Sequence, residues 1–208
     1  MMKTTLLLLA NSAKHHQHCI AGIDLNTRKW RRIVADETGK EVDFNNYNFY
    51  DEENNIFIKN IYVFSLPFLM EINIEREVPL NTQPENCIIG SNIILKRSTN
   101  RNLLINFLQY PKSLWGESNK IYKDFQARSS LFLIRVDEIR LYWKDRSMYN
   151  KTPQRRAKFW YNEIEYDLPV TDLRFENMQE QILYDKFLVI SLGEPYEGYC
   201  YKIIASII

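Results

Sequence analysis

The hydrophobic pattern of this chain reads mostly as short strands. Thr4–Ala10 is a continuous apolar run, which suits a strand covered on both faces. Asn11 and Ser12 mark a turn. His18–Asp24 and Lys29–Ala35 read as second and third strands joined through Leu25–Arg28, so the chain opens as a meander. The polar stretch Asp43–Asn55 reads as a loop, and Ile56–Pro67, rich in β-branched and aromatic residues, as a fourth strand. Glu75–Glu85 carries Pro79 and Pro84 and reads as irregular. Cys87–Lys96 fits a strand pair, or a strand bulged at Gly90. Leu103, Leu104, Phe107 and Leu108 give Asn100–Gln109 a helical stripe, capped by Asn100 and stopped by Pro111.

Tyr110–Arg128 gathers Pro111, Gly116, Ser118 and Asn119 among charged residues and reads as a linker. The domains expected are therefore 1–118 and 119–208. Beyond the linker the pattern is cleaner. Ser130–Ile139 is a strand. Arg156–Tyr161 and Ile164–Val170 flank an Asn162-Glu163 turn and form a hairpin. Thr171–Leu183 has rough helical spacing behind a capping Asp172. Phe187–Leu192 and Tyr199–Ile207 are strands around a turn-rich Gly193–Gly198. A helix between the third and fourth of five strands is the element order of the OB-fold, a small Greek-key barrel. The fold expected is mainly β (β-rich α+β): two tandem OB-like barrels, the second with a helix between strands 3 and 4. The first half shares the opening meander but carries insertions.

Composition adds limits. With 45% hydrophobic and 25% charged residues the chain is globular, neither disordered nor collagenous. Net charge is +1, from 27 Lys+Arg against 26 Asp+Glu, so coating DNA by bulk charge is disfavoured. Cys19, Cys87 and Cys200 are dispersed and odd in number, which suits a reducing cytoplasm better than a disulfide framework. The apolar stretch Leu6–Leu9 is shorter than a secretory core of ~7–15 residues, and no run approaches the ~20 of a membrane span.

Candidate chemistry is sparse. There is no phosphate-binding loop, zinc-protease helix, dinucleotide fingerprint or nucleophile elbow. His15, His16, His18 and Cys19 are the only cluster of metal-type ligands, and with no distant His to close a tetrahedral site a polar strand start is the simpler reading. No catalytic residue, metal or cofactor is assigned, and an enzyme is disfavoured. The recurring signal is basic and aromatic interleaving on strands: Lys29–Arg32, Arg140–Lys144, Arg155–Tyr161 and Tyr199–Lys202. On a strand, residues i and i+2 share a face, so Arg156, Lys158 and Trp160 line one side. Rings beside cations suit single-stranded nucleic acid, where bases stack and phosphates meet charge.

Two stretches resemble the bacterial dual OB domain-containing family. One is Ala10-Asn11-Ser12-x-Lys14 with Cys19–Asp24 and Trp30-x-Arg32; the other runs from Ser191 to Lys202 through Gly193-Glu194-Pro195-Tyr196-x-Gly198. The segment Ile164–Asp172 is similar too. Where members of that family carry Pro after Trp-x-Arg, this chain has Ile33, and where they carry Trp after Pro-Glu-Asn it has Cys87. The resemblance implies two barrels in tandem, a nucleic-acid role and a place in prokaryotic defence against phage. The expected interface comprises Asn11, Ser12, Lys14, Trp30, Arg32, Arg156, Trp160, Glu194, Tyr201 and Lys202. In it Trp30, Trp160 and Tyr201 stack on bases, and Lys14, Arg32, Arg156 and Lys202 meet phosphates. The alternatives are a protein-interaction module of a defence complex, and a sensor of or enzyme on a modified nucleotide.

Overall fold

The computed structural model describes residues 2–14, 17–58 and 66–208. The chain falls into two compact units, Met1–Phe107 with Gln126–Ser130, and Leu108–Phe125 with Leu131–Ile208.

In the first unit the N-terminal apolar run lies in β1 (Met2–Lys14). Leu6, Leu7, Leu8 and Leu9 are all fully buried, since both faces of the strand are covered. The meander continues with β2 (Gln17–Asp24) and β3 (Trp30–Ile33). It needs glycine at Gly22, where a Cβ would stand 2.4 Å from the Leu7 carbonyl oxygen. Then come β4 (Asn48–Asp51), β5 (Ile56–Ile58), β6 (Phe68–Glu77), β7 (Asn86–Ile89) and β8 (Asn92–Ser98). β1 pairs antiparallel with β2 and β6, β2 with β3, and β6 with β7, while β3 and β7 run parallel. These five strands close a ring in the order β1-β2-β3-β7-β6. With β6 and β7 as fourth and fifth ring strands, this is the Greek-key circuit of an OB barrel. Strands β8, β4 and β5 extend the sheet from β6. Leu6, Leu8, Ile20, Ile33, Met70 and Ile72 pack the interior.

This half departs from the sequence expectation in four places. Asp43–Asn55 is not a plain loop: Asp43 caps a 3-10 turn over Phe44–Asn46, and β4 follows, drawn in by the fully buried Phe49. β6 was not foreseen, although Met70, Ile72 and Ile74 alternate into the core. The expected strand Ile56–Pro67 is a strand over Ile56–Ile58, and 59–65 lie outside the described residues. The stripe at Asn100–Gln109 forms a 3-10 stretch, Arg101–Phe107, burying only Leu104.

The second unit contains β9 (Lys120–Tyr122), β10 (Leu131–Lys144), β11 (Gln154–Tyr161), β12 (Ile164–Pro169), β13 (Gln181–Tyr196) and β14 (Tyr199–Ile207). The sheet order is β12-β11-β10-β13-β14-β9. It curls into a half-barrel: Val170, just past β12, bridges Ile204 of β14 in parallel, and the Thr171 N–H reaches the Ile204 carbonyl at 2.9 Å. Leaving out the edge strand β9, the circuit repeats that of the first unit. Asn162 and Glu163 both take positive φ, 48° and 64°, as a two-residue hairpin turn requires.

The expected helix over Thr171–Leu183 is a single 3-10 turn, Leu173–Phe175. Asp172 explains why: its carboxylate accepts from the Arg174 backbone and guanidinium and from the Ile207 N–H at 3.0 Å. One turn is thereby pinned to β14, and Ile182 and Leu183 already pair with Arg140 and Ile139. Nor is Gly193–Gly198 a loop, because β13 runs to Tyr196 and only Glu197 and Gly198 turn.

Candidate nucleic-acid interface

Two of the basic and aromatic segments become neighbouring strands. β10 and β11 pair with Arg140 opposite Lys158 and Tyr142 opposite Arg156. Alternation sends Ala157, Phe159 and Tyr161 into the core and leaves Lys158 and Trp160 on the outer face. Trp160 stands one residue beyond the Ile139–Phe159 pair, in the row of Glu138 and Tyr184. Trp160 and Tyr184 are each 64% exposed. They sit two strand spacings apart, about 10 Å. In the next row Arg140 also faces Ile182, itself exposed.

Charge on this face divides sharply. Arg156 is committed to Asp167, Nε to Oδ1 at 2.8 Å, and the Tyr142 hydroxyl donates to the other carboxylate oxygen at 2.7 Å. Burial and that bond to Asp167 push the Tyr142 hydroxyl above its ordinary range. Arg140 and Lys158 are exposed, lie directly opposite each other, and enter no ion pair among the described residues. The Lys158 ammonium lies 5.9 Å from the Tyr142 ring centroid. Like charges directly opposite across strands are unfavourable by roughly 0.2–1 kcal/mol, and an anion set between them removes that repulsion. Glu138 and Glu165 flank Trp160, so cation and ring occupy adjacent rows rather than one basic groove. Beyond the far end of the strands, the loop 145–153 presents Met148 and Tyr149, 93% and 74% exposed.

Both units trace the same five-strand circuit, and a family model for the dual OB-containing domain matches residues 4–207. The chain belongs to that family. Neither a curated protein nor a solved structure matches it. In OB barrels the face of the second and third strands, with the loops joining the first to the second and the fourth to the fifth, is where oligonucleotides bind. In the second unit of this dual OB chain those parts are β11, β12, 145–153 and the β13–β14 turn at Glu197 and Gly198.

The remaining expected residues of the dual OB chain sit elsewhere. Asn11 and Ser12 are buried in β1, and Trp30 is 6% exposed in β3. Arg32 is buried too, donating through Nη2 to Ser130 Oγ at 2.8 Å. Ser130 is held in turn by Glu85, which accepts from its N–H at 2.6 Å and its hydroxyl at 2.8 Å. Trp30 and Arg32 are therefore part of how the first unit folds, with no face for a base or phosphate. The backbone of Lys14 ends β1, and its side chain lies outside the described residues. Lys202 corrects its expected role: alternation on β14 turns it inward with Cys200 and Ile204. It is fully buried, and its ammonium donates to the Gly116 carbonyl at 2.6 Å, 5.3 Å from the Tyr166 ring. Burial lowers it to about 8. Tyr201 and Glu194 are half-buried near the tip of the β13–β14 hairpin.

A pocket of about 580 Å³ in the first unit is lined by Asp36, Glu41, Asp43 and Glu75, with Lys40 and Tyr47. Four carboxylates against one lysine repel a polyanion, so the strand-binding reading does not extend to it. Burial and the Glu75 charge raise the Tyr47 hydroxyl. Of the His15–Cys19 cluster, His15 and His16 lie outside the described residues. Among the described residues no group of three His, Cys, Asp or Glu could hold a metal ion, and no helix is long and apolar enough to cross a membrane.

Sequence reasoning left out Arg140, Lys158 and Tyr184 as site residues. The first two were visible in the interleaved segments. Tyr184 directly follows the stretch expected as a helix, and it precedes Asp185, which takes a φ of 51° within β13.

Proposed function

We propose that the protein binds single-stranded nucleic acid on the outer face of β10, β11 and β13 of its second unit. One observation carries the reading: Trp160 and Tyr184 are exposed in one row while Arg140 and Lys158 stand opposite each other in the next, with no ion-pair partner among the described residues. Bases stack on the rings and a phosphate bridges the two cations. Stacking contributes about 1–3 kcal/mol per base, so affinity rests on rings more than on charge. With two to four cations engaged, counting Lys144 and Lys151, the slope of log K against log salt is about −1.4 to −3. No catalytic group is invoked.

The resemblance to the bacterial family supports an accessory or sensor role in defence against phage, and three cysteines outside any disulfide support a cytoplasmic setting. A protein partner is the second reading, favoured by the exposed Ile56 and Phe57 on the short strand β5. Fluorescence anisotropy of labelled single-stranded DNA and RNA at low salt tests the main reading. Micromolar or tighter binding that falls about 5- to 150-fold in Trp160→Ala supports it. No binding by folded protein at tens of micromolar overturns it, and a nuclease-insensitive complex with a protein then favours the second.

A further inference from the structure

The row that carries Trp160 and Tyr184 also carries two carboxylates with no part in stacking or phosphate contact. Trp160 pairs with Glu165 across β11 and β12, and Glu138 pairs with Tyr184 across β10 and β13. Trp160 stands one residue beyond the Ile139–Phe159 pair, so Glu138 lies on its other side. The row therefore runs Glu165, Trp160, Glu138, Tyr184, with neighbours about 4.8 Å apart. Each ring has a carboxylate beside it, and Trp160 has one on either side. Both glutamates are exposed, and neither enters an ion pair or a side-chain hydrogen bond among the described residues. The carboxylate in the next row differs: Asp167, opposite Lys158, is held by Arg156 and by the Tyr142 hydroxyl. Arg140 follows Glu138 by two residues on β10, and Lys158 precedes Trp160 by two on β11, so the cationic row lies about 7 Å away. That is the scale on which a nucleotide separates its base from its phosphate.

Bare carboxylates repel a polyanion, so here they weaken binding of any strand that does not donate to them. Phosphates donate nothing, whereas base edges donate unequally. A carboxylate only accepts hydrogen bonds. Guanine presents two adjacent donors on its pairing edge, the ring N–H and the exocyclic amine, which match the two oxygens of one carboxylate. Adenine and cytosine present an amine beside a bare ring nitrogen. Thymine and uracil present one N–H between two carbonyls. Each of those four sets an acceptor against the carboxylate. Charge-assisted hydrogen bonds are roughly twice as strong as neutral ones, and a bidentate pair adds geometric selectivity. In a single strand these edges are free to be read.

We propose that Glu138 and Glu165 make the strip selective for guanine. A guanine stacked on Trp160 donates both pairing-edge groups to one of these carboxylates, while its phosphate lies against Arg140 and Lys158. The inference rests on the reading of the Trp160 strip and adds which base that strip prefers.

The experiment measures anisotropy of labelled DNA oligomers of about 7 nucleotides, short enough for one OB site. They are thymidine throughout, or carry guanine, hypoxanthine or adenine at the centre; hypoxanthine is guanine without the amine. The proteins are wild type, Glu165→Gln, Glu138→Gln, the double variant and Trp160→Ala, each shown by urea unfolding to be folded. Wild type binds the guanine oligomer roughly tenfold or more tighter than the all-thymidine one, and hypoxanthine loses most of that gain. The double variant binds the all-thymidine oligomer as well as wild type does or better, and its guanine preference falls below about threefold. A merely structural role for the glutamates would weaken both oligomers alike. Equal binding of all four oligomers by wild type overturns the guanine inference, and the strip stands if Trp160→Ala weakens them together. A guanine preference that persists undiminished in the double variant also overturns it. If Trp160→Ala is silent, or wild type binds no oligomer, the strip falls and the inference with it.

Discussion

Lys202 offers a sharp test of the second unit's interior. Its ammonium is fully buried and meets one carbonyl, that of Gly116, which also accepts from the Tyr166 hydroxyl at 3.3 Å. No carboxylate among the described residues neutralises it, so burial disfavours the charged form and brings the group from 10.5 to about 8. Between those values the unfolded chain holds a proton that the folded chain has released. Stability contributed by this residue therefore rises with pH from about 8 to about 10.5. At 1.36 kcal/mol per pH unit the gain is about 3 kcal/mol. Lys202→Met keeps the length of the side chain and removes the titration. Urea unfolding of both proteins from pH 7.5 to 10.5 isolates the effect, because the other lysines and tyrosines cancel in the difference. The wild type should gain stability over Lys202→Met as the pH rises, and the variant should be as stable or more stable at the low end. A difference that stays flat across the window refutes the reasoning, as does a variant that is several kcal/mol weaker at every pH. The second result would mean that the bond to Gly116 outweighs the cost of the buried charge.

Trp30→Ala should cost about 3–5 kcal/mol in urea unfolding and leave strand affinity per folded molecule unchanged, since the ring is enclosed in the first unit. Asp172→Ala should cost about 3–5 kcal/mol, because it leaves Arg174 without its partner and strips the Ile207 N–H of its acceptor. A thiol reagent should label Cys19 in the native protein and reach Cys87 and Cys200 only on unfolding. Both are fully buried, and burial pushes the Cys87 thiol up to about 12.

What the sequence makes legible here is local. The Asn162-Glu163 turn and the alternation on either side of it give the β11–β12 hairpin, and Tyr199–Ile207 coincides with β14. The outward face of Arg156, Lys158 and Trp160 follows from the same period of two. What stays hidden depends on distant partners. Alternation sets Lys202 opposite Tyr201, but that its side is sealed depends on Gly116, 86 residues away. Arg32 reads as a surface cation until Ser130, 98 residues on, closes over it. The helical spacing of Thr171–Leu183 is overruled because pairing with β10 claims its last residues. Tyr122, in the stretch read as a linker, is placed by pairing with Tyr199.

The path of the chain has a consequence for how such a protein can be inherited. After Phe107 the chain enters the second unit, returns for Gln126–Ser130, and leaves again at Leu131. The brief return supplies Ser129 and Ser130, which hold Glu85 and Arg32, while the stretch before it supplies Gly116, which covers Lys202. No single cut yields two intact barrels: a fragment ending at Phe107 loses its clasp, and one beginning at Leu131 loses its lid. Gene fusion and fission that shuffle barrels one at a time would break both, so the pair should pass between genomes as one indivisible cassette.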